Sequence, residues 1–214
     1  AARALVVQFD LYLRPGELVN LPVNACLLPK TGLSGAHAKL GVVVAASAQD
    51  LGDGNNFRAT KTGAQDDTVL FDEHSRAGVP GAFRALVSDA RRARASRLLY
   101  LLTYSPYNAA LRRSAVQLGV PFKVTGHLPR HGGPSDDYLR GSRSLPDIQT
   151  RGRWASARSV QRYQKAGRIL SAMHKLPSAL RASCASLEQR HLNFLVWVCS
   201  LLLPSRCGWL GFWD

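Results

Sequence analysis

The chain has 214 residues, 46% of them hydrophobic, with 28 Lys plus Arg against 14 Asp plus Glu and a formal net charge of +14. That apolar content excludes a wholly disordered basic tail, and the length suits one or two domains with a buried core. Four cysteines (Cys26, Cys184, Cys199 and Cys207) with no CxxC pair argue against a zinc cluster or a dense disulfide framework.

Residues 5–13 are apolar and lead into Arg14-Pro15-Gly16-Glu17-Leu18-Val19. Pro15 suits the first turn of a helix and Glu17 complements the helix dipole there, which sets Arg14 at the mouth of that helix. Strand-like runs at Val42–Ala45 and Thr68–Phe71 flank a Gly/Asp/Asn-rich stretch, Asp50 to Asn56, and the tetrad Thr60-Lys61-Thr62-Gly63. This pattern predicts a small hairpin or three-stranded sheet with a long loop. From residue 80 the pattern is helical. Val79–Arg94 carries apolar residues at Val79, Phe83, Leu86 and Val87, and Ser105–Gly119 follows with Ser105 as N-cap before Pro106.

Further on, Pro129 biases Leu128 away from helix. The pairs Asp66-Asp67 and Asp136-Asp137 read as loop residues rather than metal ligands. Segments 144–151 and 155–176 predict two more helices, separated near Arg153-Trp154. The expected fold is therefore mainly α with one small antiparallel β-sheet, an α+β domain over residues 1–176, followed by a distinct segment, 177–214. The run Phe194 to Leu203 is too short to span a bilayer, which needs about twenty apolar residues, so no membrane partner is expected. It reads as a buried helix, as a helix docking on another protomer, or as a non-native tail.

The charge is concentrated. Residues 1–80 hold seven basic and eight acidic side chains, residues 81–170 seventeen and four, and residues 171–214 four and two. A block of net +13, almost all of it arginine, suits a polyanion, because the planar guanidinium makes bidentate phosphate contacts and each neutralised phosphate releases counterions. A solvated surface that aids solubility is the plainer reading.

Four separated motifs together suit phosphoryl transfer. They are Leu13-Arg14-Pro15-Gly16-Glu17-Leu18, Thr60-Lys61-Thr62-Gly63, His127-Leu128-Pro129-Arg130-His131, and Gly152-Arg153-Trp154 with Tyr163 nine positions after Trp154. In this order, with gaps of 47, 66, 24 and 9 residues, they resemble the catalytic domain of the tyrosine recombinases, the lambda-integrase family. The resemblance covers roughly residues 5 to 170. It implies that Tyr163 attacks a DNA phosphodiester and forms a covalent 3′-phosphotyrosyl link. Arg14 and Arg130 would clamp the non-bridging oxygens, and His127 would be the acid/base histidine. Lys61 would protonate the leaving 5′-oxygen, with Lys30 in the look-alike Pro29-Lys30-Thr31-Gly32 and Lys39 as competitors. Trp154 stands where many relatives carry histidine and can donate its indole N–H to phosphate. Glu17 would support the site by orienting His127 or its neighbours. Arg162 and Lys165 beside Tyr163 place it in positive potential, which favours the phenolate.

The resemblance implies double-stranded DNA as partner, a tetramer on DNA when active, and neither metal nor organic cofactor. The protein would act wherever its host keeps genomic DNA. Plainer readings exist for each residue: a core tyrosine at Tyr163, with Tyr138 as rival nucleophile, surface cations at Arg14 and Arg130, a structural histidine at His127 and a core tryptophan at Trp154. The chain departs from the family in lacking the separate amino-terminal domain that completes a clamp around the duplex. It begins without Met or signal peptide, inside a segment that reads as ordered, as expected of a fragment. A catalytically degenerate DNA-binding relic of a mobile element is thus the main alternative. A type IB topoisomerase and an unrelated RNA-binding protein are weaker ones.

Overall fold

The computed structural model describes residues 1–30, 32, 34, 35, 38–44, 67–164 and 166–188. Helices α1 (Ala2–Asp10) and α2 (Pro15–Asn20) lead through a 3-10 turn, Val23–Ala25, into strand β1 (Cys26–Leu27). Strands β2 (Gly41–Val44) and β3 (Asp67–Leu70) complete an antiparallel sheet in the order β1-β2-β3, with Cys26 opposite Val42 and Val42 opposite Val69. Helices α3 (Val79–Arg92), α4 (Tyr104–Gln117), α5 (Leu128–Leu139) and α6 (Leu145–Gly152) follow. Then come the single turn α7 (Ala157–Val160), a 3-10 segment Gln161–Gln164, α8 (Ala166–His174) and α9 (Ser178–Glu188). The expected mainly α fold with one small antiparallel sheet is what the described residues form.

The principal core joins α1, α2, the sheet, α3 and α4. In α3, Val79, Phe83, Val87 and Ala90 recur at helical spacing and are all at most 1% exposed, while Arg84, Arg91 and Arg92 take the outer face. Phe83 meets Phe71 at 5.2 Å between ring centroids, which ties α3 to the end of β3. A buried polar knot locks α1 to the chain just ahead of α5. Gln8 donates through Nε2 to the carbonyls of Leu13 (3.0 Å) and Gly126 (2.8 Å), while its Oε1 accepts from the Tyr107 hydroxyl. A small second core holds Tyr12, Ile148, Val160 and Tyr163, with Tyr138 and Trp154 packed against it.

Three boundaries differ from the sequence-based expectation. Helix α5 runs through Pro129, Gly132, Gly133 and Pro134, where the composition argues against a helix. Pro129 falls in the first turn, where its missing N–H has no intrahelical partner to lose. Gly132 and Gly133 are there for space: a Cβ on Gly133 would lie 2.0 Å from the Phe9 carbonyl oxygen, and one on Gly132 2.8 Å from the Phe9 ring. The helix tolerates both because α1 packs against them directly. Helix α4 starts at Tyr104 with Thr103 as N-cap, not Ser105, and Pro106 still falls within the first turn. Segment 155–176 is two helices and a 3-10 turn rather than one helix.

The acidic pair Asp136-Asp137 lies on α5, not in a loop, and joins a network that fixes α5 and α6 against α1. Arg76 bonds Asp10 (3.2 Å), Asp136 (2.8 Å) and Asp137 (2.6 Å). Arg143 bonds Asp72 (2.5 Å) and Asp137 (3.0 Å), and Arg151 bonds Asp10 (3.2 Å) and Asp72 (3.4 Å). The Tyr12 hydroxyl also bonds Asp137. Although burial opposes ionisation of Asp72, the Arg143 and Arg151 guanidiniums and the His74 backbone N–H bring its carboxyl down to about 2.

These observations generate a stability test. Gly133→Ala should destabilise the chain by about 2–3 kcal/mol in urea unfolding, because backbone on one side and the Tyr12 ring on the other leave no room for a methyl. Gly81→Ala in α3, where a Cβ meets nothing within 4 Å, should be neutral or stabilising by up to about 1 kcal/mol.

Candidate functional site

Arg14 immediately precedes α2, with an extended backbone (φ −64°, ψ 147°) that turns into Pro15. Glu17, in the first turn of α2, reaches back: its Oε2 accepts the Arg14 backbone N–H at 2.6 Å and its Oε1 accepts Arg14 Nη1 at 2.6 Å. The same carboxylate accepts Arg153 Nη2 at 2.6 Å and lies 3.7 Å from Arg130 Nη1. One half-buried carboxylate therefore serves three guanidiniums from α2, α5 and the end of α6. Burial opposes its ionisation, yet Arg153, the Arg14 N–H, Arg130 and Arg14 together hold its carboxyl below the usual range. Glu17 thus supports the site through arginines, among them Arg130 in the same box as His127, where the sequence reading has it orient His127 or its neighbours.

Arg130 is anchored from above and below. Its Nη1 donates to the Tyr12 carbonyl, its Nη2 donates to the Gly152 carbonyl at 2.7 Å, and its Cζ stacks over Trp154 at 4.8 Å. Burial lowers its guanidinium to about 10; Glu17 opposes this shift, and Arg14 and Arg153 add to it. The group keeps its charge at neutral pH.

Trp154 is aimed by the end of α6. Arg153 takes a left-handed conformation (φ 55°, ψ 46°), and Trp154 is fastened by its N–H to the Gln149 carbonyl (3.1 Å) and by its own carbonyl to Gln149 Nε2 (3.0 Å). A Cβ on Gly152 would lie 1.7 Å from the Trp154 ring, so only glycine lets the indole fold back there. Tyr12, whose carbonyl receives Arg130, is left-handed as well (φ 52°). Two strained residues thus flank Arg130, at roughly 1–3 kcal/mol each, and neighbouring packing holds them.

Tyr163 lies on the 3-10 segment, 3% exposed, with its ring 5.3 Å from Trp154. Its hydroxyl is 2.8 Å from Nδ1 of His131, a residue to which the sequence reading assigns no role. Burial raises the phenol to about 12, and the opposing pull of Arg162 and Arg130 is too weak to reverse it. This corrects the expectation that the flanking positive potential favours the phenolate: desolvation dominates. Burial first, then Arg130, Arg162 and His127, depress the His131 imidazole to about 4, so it is neutral at pH 7.

The fold therefore gathers Arg14, Glu17, Arg130, Trp154 and Tyr163 into one continuous chain of contacts, and adds Arg153 and His131. His127 stands exposed at the start of α5, at the margin of this cluster and within electrostatic reach of His131. Lys61, its tetrad and Lys165 lie outside the described residues. The competing Lys30 and Lys39 are exposed, and Tyr138 packs at the edge of the second core. Arg153 is adjacent in sequence to Trp154, and that adjacency is the only local signal that could mark it. His131 follows Arg130 by one position, which on a helix turns it to a different face.

Exposed arginines remain on α3 and α4, at Arg84, Arg91, Arg92, Arg112 and Arg113, and at Arg158 and Arg162 near the tyrosine. Among the described residues no helix is long and apolar enough to cross a membrane. Neither a protein-family model nor a curated protein matches this sequence.

Glu17→Gln should destabilise the chain by about 3 kcal/mol at pH 7, since it leaves three clustered guanidiniums without their counter-charge. The folded carboxyl titrates below its unfolded value, so this contribution is complete above the ordinary glutamate range and disappears as pH falls through the folded value. Urea unfolding of both chains from pH 7 down to pH 3 should show the gap closing.

Proposed function

We propose that this chain is the catalytic domain of a tyrosine-type, site-specific DNA recombinase, which cuts and rejoins duplex DNA through a covalent 3′-phosphotyrosyl intermediate. The observation that carries this reading is the convergence of Arg14, Arg130, Trp154 and Tyr163, drawn from three separate stretches of chain, in one cluster that Glu17 anchors through its arginines. Phosphoryl transfer gives such a cluster a use: negative charge grows on the non-bridging oxygens as the nucleophile enters, and two arginines and an indole N–H can meet it.

In this reading Arg14 and Arg130 neutralise the two non-bridging oxygens and the Trp154 indole N–H donates to the same phosphate. The Tyr163 oxygen bonds to phosphorus while the bond to the 5′-oxygen breaks. Lys61 supplies the proton to that leaving oxygen, and His127, exposed at the rim, meets the phosphate from the solvent side. The exposed arginines of α3 and α4 carry the sequence-independent grip on the duplex. Strand exchange calls for a tetramer on DNA. The reading also requires the duplex to reach a buried tyrosine, which sits on one 3-10 turn between short helices in a core of four residues.

A second reading rests on its own observation. The Arg130 side chain is 3% exposed and already donates to two backbone carbonyls, and Tyr163 is 3% exposed. A chain that kept this cluster closed on DNA would be a non-catalytic, DNA-binding relic.

One assay separates the two. On a library of nicked duplexes randomised around the nick, the wild-type chain should accumulate a denaturant-resistant protein–DNA adduct. Tyr163→Phe should form none, and Arg14→Ala should lower the yield by about 10²-fold. Both variants should keep salt-sensitive DNA retention. Retention without any wild-type adduct would establish the relic.

A further inference from the structure

His127 is the histidine that the sequence pattern marks for acid/base work, yet the tyrosine hydroxyl contacts another one. Nδ1 of His131 lies 2.8 Å from the Tyr163 oxygen, within proton-transfer distance, and the two rings tilt against each other at 6.2 Å. The fold holds this geometry from both sides. Gly132, next to His131, lies against the Phe9 ring, the His131 carbonyl accepts the Ser135 hydroxyl at 2.9 Å, and Tyr163 is wedged between Trp154 and the second core. We infer that His131 is the catalytic base that takes the phenolic proton of Tyr163 as its oxygen attacks phosphorus, leaving His127 to the phosphate.

The inference rests on the recombinase reading and deepens it. Atoms balance as follows. The Tyr163 O–H bond breaks and its proton moves to His131 Nδ1, an O–P bond forms, the bond from phosphorus to the 5′-oxygen breaks, and that oxygen takes a proton from Lys61. Religation runs these transfers backwards. The charged and titratable groups facing His131 are Arg130 and His127 from α5, and Arg162 and Tyr163 from the 3-10 segment. Burial first, then Arg130, Arg162 and His127, keep the imidazole neutral at pH 7 but weaken it as a base, so the proton moves to it only as the O–P bond forms. A phenol raised to about 12 needs such an acceptor at neutral pH.

The protonation pattern can be read without DNA. In the full chain, nitrogen chemical shifts of His131 at pH 7 should report a neutral ring with the proton on Nε2 and Nδ1 free to accept. A proton on Nδ1 would overturn the proposal, since that nitrogen would then be a donor. With DNA, adduct formation by the wild-type chain should be independent of pH between 7 and 9. His131→Ala should be slower by about 10²-fold at pH 7 and should gain about tenfold per pH unit, as the phenolate fraction grows. His131→Asn, which keeps a hydrogen-bond acceptor but cannot carry a proton, should show the same slope. His127→Ala should be slower but flat. Both His131 variants should retain DNA as the wild type does. A fast, flat His131→Asn, or a slope carried by His127→Ala in place of His131→Ala, would overturn the base assignment while leaving Tyr163 as nucleophile. A wild-type chain without adduct would overturn the recombinase reading and this proposal with it.

Discussion

Three carboxylates from the first 72 residues, Asp10, Glu17 and Asp72, hold the later helices in place by neutralising arginines that come much later in the chain. Asp10 and Asp72 bind Arg151, Asp72 also binds Arg143, and Glu17 binds Arg153 and approaches Arg130. Charge transferred from water into protein is costly unless it is paired and hydrogen-bonded. These pairs therefore do more than add stability: they dictate where α5 and α6 can sit. Any placement that breaks one pair leaves a buried charge unmatched, which makes the constraint severe and the register of the site unique.

That constraint recasts the basic block. In sequence, residues 81–170 form one excess of positive charge. In the fold this excess divides. Arg130, Arg143, Arg151 and Arg153 turn inward, each side chain at most 6–7% exposed. Arg84, Arg91, Arg92, Arg112 and Arg113 remain on the surface. The inward group is matched by carboxylates and fixes how the later helices pack, and the outward group sets the long-range potential. Surface charges set long-range attraction and its salt dependence, whereas buried paired ones fix local geometry.

Around the cluster, backbone and packing are used together. Glycine at 132, 133 and 152 lets Phe9, Tyr12 and Trp154 approach more closely than any side chain would permit. Left-handed turns at Tyr12 and Arg153 aim a carbonyl and an indole at Arg130. The aromatic ring of Trp154 then serves as the partition between the guanidinium of Arg130 and the phenol of Tyr163. Burial raises the phenol and depresses the neighbouring imidazole, which leaves two neutral groups in hydrogen-bond contact.

Local chemistry in the sequence was sufficient for much of this. Proline and glutamate in Pro15-Gly16-Glu17 mark the start of α2, the spacing of Val79, Phe83 and Val87 marks α3, and short strand-like runs rich in β-branched residues mark β2 and β3, because each signal acts within one or two turns of chain. The spacing from Trp154 to Tyr163 likewise puts both on the same compact stretch. What the chain's order does not encode locally is contact across it. That α5 passes through two glycines and a proline depends on Phe9, 123 and 124 positions earlier than Gly132 and Gly133. That Glu17 meets Arg153, and that His131 and not His127 meets the tyrosine, are contacts between segments far apart in the sequence. His127 and His131 stand four positions apart, about one helical turn on the same face, so which of them reaches Tyr163 is decided by where the 3-10 segment packs along α5, and no local signal in the chain fixes that.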